Sequence, residues 1–148
     1  MLINGLIVAC SLVMLVYWFR YTCLLLLNTK PPKDYSKQVA AANQLKVFEV
    51  KDRLVSSANA EHLDELRRLL ERDYQLIMYL MRQGARFKSA GYELDQSVFM
   101  LNYQLLKLVY GFSKLSYSLS RRHLLEMANV IVYLANLMGE RAAVVPVP

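Results

Sequence analysis

The amino-acid sequence predicts an all-α protein in which one N-terminal transmembrane helix precedes an antiparallel bundle of about four helices. Three observations predict this fold class. An uninterrupted apolar segment lies near the N-terminus, and apolar residues further along recur at intervals of three and four. Residues that break helices are also scarce, with 5 Gly and 4 Pro in 148 residues.

Residues 1–27 are predicted to be a transmembrane anchor. Residues 2–19 contain no charged side chain, and after Arg20 the apolar run continues to Leu27. A helix over 2–27 is roughly 38 Å long, enough to cross a hydrocarbon core of about 30 Å. Aromatic rings and a snorkelling arginine favour the membrane–water interface. The predicted interface residues are Tyr17, Trp18, Arg20 and Tyr21.

The residues that flank this segment predict its orientation. No Lys or Arg precedes it, whereas Arg20, Lys30, Lys33 and Lys37 follow. The positive-inside rule then places the N-terminus outside and the C-terminal domain in the cytoplasm. A cleavable signal peptide is less favoured, because it would begin with basic residues and carry a shorter apolar region.

The rest of the chain divides into a Pro-containing linker at residues 28–36, a helical bundle at 37–139 and an extended tail at 140–148. Periodicity predicts a first bundle helix over 37–57 with Ser36 as its N-cap, and a second over 60–83. A third helix begins near residue 92 and a fourth ends at Gly139, with a turn near 116–120 between them. One bent helix over 92–138 remains an alternative, because the turn lacks Gly and Pro.

Two apolar stripes run along the third bundle helix, which we therefore predict to be the central one. The first stripe has the alternating spacing of a helix-packing seam and is predicted to be buried. It comprises Val98, Leu101, Leu105, Leu108, Phe112, Leu115 and Leu119. The second stripe is a predicted partner face, because the thin first bundle helix cannot easily cover both. It comprises Phe99, Tyr103, Leu106, Tyr110 and Tyr117.

Charge and motif content argue against several classes of function. The net charge is +6, but acids are interspersed with the bases, so a nucleic-acid partner is not predicted. Both cysteines, Cys10 and Cys23, lie in the apolar segment, which leaves no disulfide framework. The chain has no Gly-rich phosphate loop and no nucleophile motif. We therefore predict no enzymatic activity, no cofactor and no small-molecule substrate.

Two His-x-x-Glu pairs are the only weak candidates for metal ligands. His62 and Glu65 lie on the second bundle helix, and His123 and Glu126 lie on the fourth. Residues three apart share a helix face, so each pair could offer an imidazole and a carboxylate. Metal sites in bundles need further carboxylates from other helices. The pairs are therefore interpreted as surface residues, and no metal site is predicted.

The leading functional hypothesis is a single-pass membrane protein of structural or interaction type. Its cytoplasmic bundle would bind a protein partner or associate with itself, and its anchor would lie in the lipid bilayer. The alternative is a membrane-active helical hairpin, because 98–119 and 124–138 contain few charges. A metal-binding bundle that uses the His/Glu pairs is the least favoured hypothesis.

Overall fold

The computed structural model describes residues 1–29, 31, 33–56, 62–84, 93–113 and 116–144. These residues form six helices and no strand: α1 Leu2–Asn28, α2 Ser36–Ala42, α3 Val47–Ser56, α4 Leu63–Gly84, α5 Glu93–Ser113 and α6 Tyr117–Val144. The all-α class, with one long apolar helix ahead of a helical bundle, is confirmed. The linker residues 30 and 32, the predicted break after residue 56 and the connection over 85–92 lie outside the described residues.

The chain divides into two compact units, Met1–Lys30 and Pro31–Pro148. The first unit is α1, whose 27 residues give a length of about 40 Å. Of the residues the structure describes, only this helix is long and apolar enough to cross a membrane. Its hydroxyl groups bond within the helix, since Ser11 Oγ donates to Ile7 O (2.8 Å) and Thr22 Oγ1 donates to Trp18 O (2.9 Å). Such internal pairing suits a segment surrounded by lipid, where water cannot satisfy polar groups.

The second unit is organised around α6, which packs against α2, α3, α4 and α5. Its buried apolar residues lie at nearly every position of its middle turns, so all sides of the helix are covered. They are Leu124, Met127, Ala128, Val130, Ile131, Leu134, Ala135 and Leu137. The prediction that the third bundle helix is central is therefore wrong. A helix that is apolar on nearly all sides is covered by several neighbours, as α6 is, whereas α5 packs into the bundle along one side and leaves its other apolar stripe exposed.

Gly139 lies inside α6 and does not end it. The helix continues to Val144, so the predicted extended tail is wrong for residues 140–144, and 145–148 lie outside the described residues. A Cβ atom at Gly139 would lie 2.3 Å from Tyr35 Cβ and 3.1 Å from Val39 Cγ2. Beside this contact, the Tyr35 N–H donates to Asn136 Oδ1 (2.7 Å). The glycine is therefore a packing residue, which lets the start of α2 approach α6 closely.

The predicted single helix over 37–57 is wrong, because the chain turns between α2 and α3. Leu45 N–H donates to Ala40 O (2.9 Å) and Gln44 N–H donates to Ala41 O (3.4 Å). These two bonds are the Schellman pattern that closes a helix C-terminus. Gln44 takes the left-handed conformation that the pattern requires, with φ 53°, at a position where glycine is usual. Because no glycine stands at this position, propensity alone did not indicate the turn.

The prediction that Ser36 is the N-cap is wrong, because Ser36 is the first residue of α2 itself. The preceding acidic residue takes that part, because Asp34 Oδ1 accepts hydrogen bonds from Ser36 N (3.0 Å) and Ser36 Oγ (2.5 Å). These bonds to the ionised form hold the pKa of Asp34 below its usual value. The side chain that satisfies the first backbone N–H of α2 is therefore Asp34, two positions before the predicted N-cap Ser36.

Side chains from two other helices hold both ends of α3. At its N-terminus, Asp73 of α4 accepts a hydrogen bond from Lys46 N (2.6 Å). At its C-terminus, Arg121 of α6 donates through Nε to Leu54 O (2.6 Å) and through Nη2 to Val55 O (3.1 Å). A helix of 10 residues is marginal alone, so these bonds to otherwise unpaired backbone groups stabilise it.

Asp73 provides a test of this arrangement. Replacing Asp73 with alanine should lower the free energy of unfolding by about 1–2 kcal/mol, because the N-terminus of α3 loses its acceptor. Burial raises the pKa of the Asp73 carboxyl, and hydrogen bonds from Lys46 N and Val47 N offset part of this rise. The folded state thus holds the proton more tightly than the unfolded chain does.

Ionisation of Asp73 should therefore lower stability as pH rises from about 3.9, its unfolded value, through the raised folded value. Asp73→Asn keeps an acceptor oxygen but cannot ionise, so this contribution to the pH dependence should disappear. Urea unfolding of the full chain in uncharged detergent micelles, at a series of pH values, measures both effects. An unchanged pH dependence in Asp73→Asn would contradict the assignment.

The helices α4, α5 and α6 agree better with the predictions made from the sequence. The predicted inward face of α4 is confirmed, since its residues are buried: Leu63, Leu66, Leu70, Tyr74, Ile77 and Met81. α5 and α6 are separate helices, so the alternative of one bent helix is excluded. α5 ends at Ser113 and α6 begins at Tyr117, so α6 starts earlier than the predicted turn near 116–120 allowed. Ser120 lies within α6 and bonds back to α5, donating from Oγ to Ser113 O (2.9 Å).

Candidate interaction surface

The inner face of α5 is its aromatic stripe. Phe99, Tyr103, Leu106 and Tyr110 are all buried, with exposed fractions of 0–3%. The prediction that these residues form an exposed partner face is therefore wrong. Tyr117, the fifth member of that predicted face, is half-buried at the start of α6.

Aromatic contacts explain why this stripe is the buried one. Tyr103 stacks on Tyr74 of α4, with ring centroids 3.8 Å apart and planes 5° apart. Phe99 packs at a tilt on Tyr133 of α6, with centroids 4.1 Å apart. Large aromatic side chains gain the most from burial, so the stripe that carries them packs against the neighbouring helices.

Polar contacts at the edge of this face fix α5 against α4. Tyr110 Oη donates to Asp64 Oδ1 (3.3 Å), and burial together with the Asp64 charge raises the pKa of Tyr110. The Arg67 guanidinium lies 5.8 Å from the centre of the Tyr110 ring, within range of a cation–π contact. One turn before Tyr110, Lys107 forms an ion pair with Glu71. These bonds set which side of α5 faces the bundle.

The opposite side of α5 is apolar and exposed to solvent. Leu101 is 55% exposed, Leu108 63% and Phe112 84%, whereas Val98 and Leu105 on the same stripe are half-buried. We call these five residues the α5 outer face. They belong to the stripe that was predicted to be a buried seam, so that prediction is wrong for Leu101, Leu108 and Phe112. Leu115 lies outside the described residues, and Leu119 on α6 is 48% exposed.

The α5 outer face is continuous rather than a set of scattered residues. Its members lie three or four positions apart, so neighbours along the stripe are adjacent on the helix surface. Lys107 is the one charged side chain that the structure describes on α5, and its ion pair with Glu71 takes it to the inner side. Single exposed apolar residues are ordinary, but a contiguous apolar stripe indicates a binding surface.

Two other exposed apolar residues of the bundle stand apart from this face. Val55 lies at the end of α3 and is 68% exposed, and Tyr79 lies on α4 and is 60% exposed. Each is single on its helix surface. They are therefore ordinary surface residues and serve as matched controls for the α5 outer face.

The four weak metal candidates do not form a shared site. His62 Nδ1 lies 3.6 Å from Glu65 Oε2, and both side chains are exposed on α4 and just before it. His123 Nδ1 instead lies 3.3 Å from Ser113 Oγ, and Glu126 forms an ion pair with Arg122 (3.6 Å). Within the described ranges, no three His, Cys, Asp or Glu side chains are grouped closely enough to hold a metal ion.

The predicted membrane-interface residues lie together on the later turns of α1. Tyr17, Trp18 and Tyr21 are exposed, and the Trp18 and Tyr21 rings meet edge to face with centroids 6.3 Å apart. Arg20 lies within the same turn. This grouping of amphipathic rings around one cation is typical of a helix segment at headgroup level.

The fold and this surface define a class: an all-α protein with one helix able to span a membrane and a helical bundle with one exposed apolar face. No family model, curated protein or solved structure matches the chain. Function is therefore argued from the residues themselves.

Proposed function

We propose that this protein is a single-pass membrane protein whose bundle associates with another helix through the α5 outer face. The observation that carries the proposal is the exposure of Leu101, Leu108 and Phe112 on one side of a helix whose other side is packed. The anchor is α1, and the excess of positive charge after it favours a cytoplasmic bundle with the N-terminus outside.

The chemistry of the α5 outer face favours a helix as its occupant. Alternating spacings of three and four place side chains so that they fit between those of a second helix with the same pattern. The α5 outer face extends from Val98 to Phe112, about two heptads of this spacing. Because the pattern is complementary to itself, association with a second copy of this chain is the simplest form of the interaction, and a partner protein with an amphipathic helix is the other.

The membrane-active hairpin is less favoured as a function. Insertion of α5 and α6 as a hairpin would remove α6 from α2, α3 and α4 and break the bonds of Arg121 to the end of α3. The scarcity of charge over 124–138 has a simpler cause, because most of these residues are buried inside the bundle. Burial of this segment therefore supports the interaction hypothesis over insertion.

Replacing Leu101, Leu108 and Phe112 together with serine should abolish association while leaving the fold intact. Each side chain is more than half exposed, so folding loses little when it is shortened. Binding should weaken at least tenfold, because even one interface anchor commonly contributes more than 1 kcal/mol. Sedimentation equilibrium of the full chain in density-matched, uncharged detergent measures self-association, and crosslinking in native membranes detects either kind of partner.

The matched control is the double variant Val55→Ser, Tyr79→Ser, which removes two exposed apolar side chains away from the α5 outer face. It should associate as the unmodified protein does. The proposal is wrong if the control and the triple variant lose association equally. It is also wrong if the unmodified protein is monomeric in detergent and yields the same crosslinked species as the triple variant in membranes.

A further inference from the structure

An open groove lies on a different part of the bundle from the α5 outer face. It is formed by α2, the turn after it, the start of α3 and the middle of α4, and its volume is ≈ 620 Å³. That volume is within the usual range of small-ligand sites. Its lining residues are Lys37, Ala40, Ala41, Gln44, Leu45, Lys46, Phe48 and Arg72.

The charged residues that line the groove are all cations. Lys37 comes from α2, Lys46 from the turn and Arg72 from α4, so three separate segments bring positive charge to one place. Among the lining residues that the structure describes there is no carboxylate. Lys46 Nζ is 3.3 Å from Glu49 Oε2, but both side chains are about half exposed, so this pair competes only weakly with a bound anion.

The rest of the lining suits a ligand with both charged and apolar parts. Leu45 and Ala40 are buried and Phe48 is half-buried, so they give the groove an apolar floor beside its cations. Gln44 adds a side-chain amide from a left-handed backbone position, φ 53°, where glycine would be less strained.

We propose that this groove binds a phosphate group, free in solution or carried by a phospholipid headgroup. A guanidinium can hold two phosphate oxygens at once, and lysines add point charges around them. The lipid source rests on the proposed anchoring by α1. Lys37 follows Asn28, the last residue of α1, by nine positions, so few residues separate the first cation of the groove from the proposed membrane segment in the sequence.

Titration of the full chain in uncharged detergent micelles tests the proposal and separates the two sources. The probes are inorganic phosphate, dihexanoyl phosphatidic acid and dihexanoylglycerol, which has the same acyl chains but no phosphate, and the readout is the NMR shift of the backbone amides of Lys37, Gln44 and Lys46. Saturable shifts with inorganic phosphate and phosphatidic acid alike indicate that phosphate alone is sufficient. Saturation with phosphatidic acid only assigns the site to an anionic lipid headgroup. Equal shifts with phosphatidic acid and dihexanoylglycerol would mean that acyl chains dominate, and either that result or the absence of saturable shifts with every probe would overturn the proposal.

Two substitutions connect any binding to the groove. Arg72→Gln should weaken binding of the effective probe about tenfold, because a charge-assisted contact to phosphate is lost. Arg82→Gln removes the same charge from an exposed site on α4, ten residues or about 15 Å away, and should leave affinity unchanged. Equal weakening by both variants, or by neither, would show that the groove is not the site.

Failure of this proposal is distinguishable from failure of the proposed function. The groove and the α5 outer face share no residue, so the serine triple variant should lose association and still bind the phosphate probe. If α1 did not anchor the chain in a membrane, the affinity measured with inorganic phosphate would be the same. Only loss of binding specific to Arg72→Gln establishes the groove as a phosphate site.

Discussion

Replacing Leu106 with alanine is expected to lower the free energy of unfolding by about 2–5 kcal/mol. Leu106 is fully buried on the inner face of α5, between the turns that carry Tyr103 and Tyr110. Its truncation removes apolar contacts and leaves a cavity that the packed aromatic rings cannot readily fill. The measurement is urea unfolding of the full chain in uncharged detergent micelles, followed by the near-ultraviolet circular dichroism of the tyrosines.

Leu108→Ala is the matched control, because it makes the same chemical change two residues away on the same helix. Leu108 is 63% exposed, so its truncation should change the free energy of unfolding by less than about 0.5 kcal/mol. Equal losses in the free energy of unfolding at the two positions would mean that the α5 outer face is buried in the folded bundle. The rotation of α5 described above would then be incorrect, and with it the basis of the proposed interaction surface.

Gly139→Ala is expected to destabilise the bundle by about 1–3 kcal/mol, although alanine favours helices over glycine. The added Cβ would lie 2.3 Å from Tyr35 Cβ and 3.2 Å from Tyr35 Cγ. Since Cβ moves only with its backbone, the start of α2 would have to shift away from α6. That shift would also strain the hydrogen bond from Tyr35 N to Asn136 Oδ1. Urea unfolding measures the loss of stability.

Gly111→Ala on α5 is the control for this prediction. Gly111 is exposed, and no atom of the part of the chain that the structure describes lies within 4 Å of where its Cβ would be. The substitution should therefore stabilise the protein by up to about 1 kcal/mol through helix propensity alone. Opposite signs at the two glycines would confirm that Gly139 is kept for close packing. If both variants were stabilised, the contact between Tyr35 and α6 would not be a tight one.

Some predictions from sequence succeeded because they depend on local periodicity. The apolar run of α1 needs no neighbours to be recognised, since length and the absence of charge define it. On α4, a single apolar stripe opposes a charged side, so only one face could be inward, and its residues are buried as predicted. The turn predicted near 116–120 agrees with the separation of α5, which ends at Ser113, from α6, which begins at Tyr117.

Other features depend on residues far apart in the chain. At the turn between α2 and α3, Asp73 accepts a hydrogen bond from Lys46 N, although the two residues are 27 positions apart in the sequence. No glycine marked this turn, so propensity favoured a continuous helix. The role of Gly139 was equally hidden, because the residue that it accommodates, Tyr35, lies at the other end of the bundle sequence. A glycine near the end of an apolar pattern is usually a stop signal, and here packing had the larger effect.

The sequence alone thus determined that this protein is helical, that α1 can span a membrane, and that α5 carries two apolar stripes. The tertiary structure alone decided which stripe is buried. Periodicity gives the angle between two stripes on one helix, but it does not give the rotation of that helix relative to its neighbours. The rotation follows from contacts that other helices supply, namely the stacking of Tyr74 on Tyr103 and the bond from Tyr110 to Asp64. These contacts draw the aromatic stripe inward, and Leu101, Leu108 and Phe112 consequently face outward.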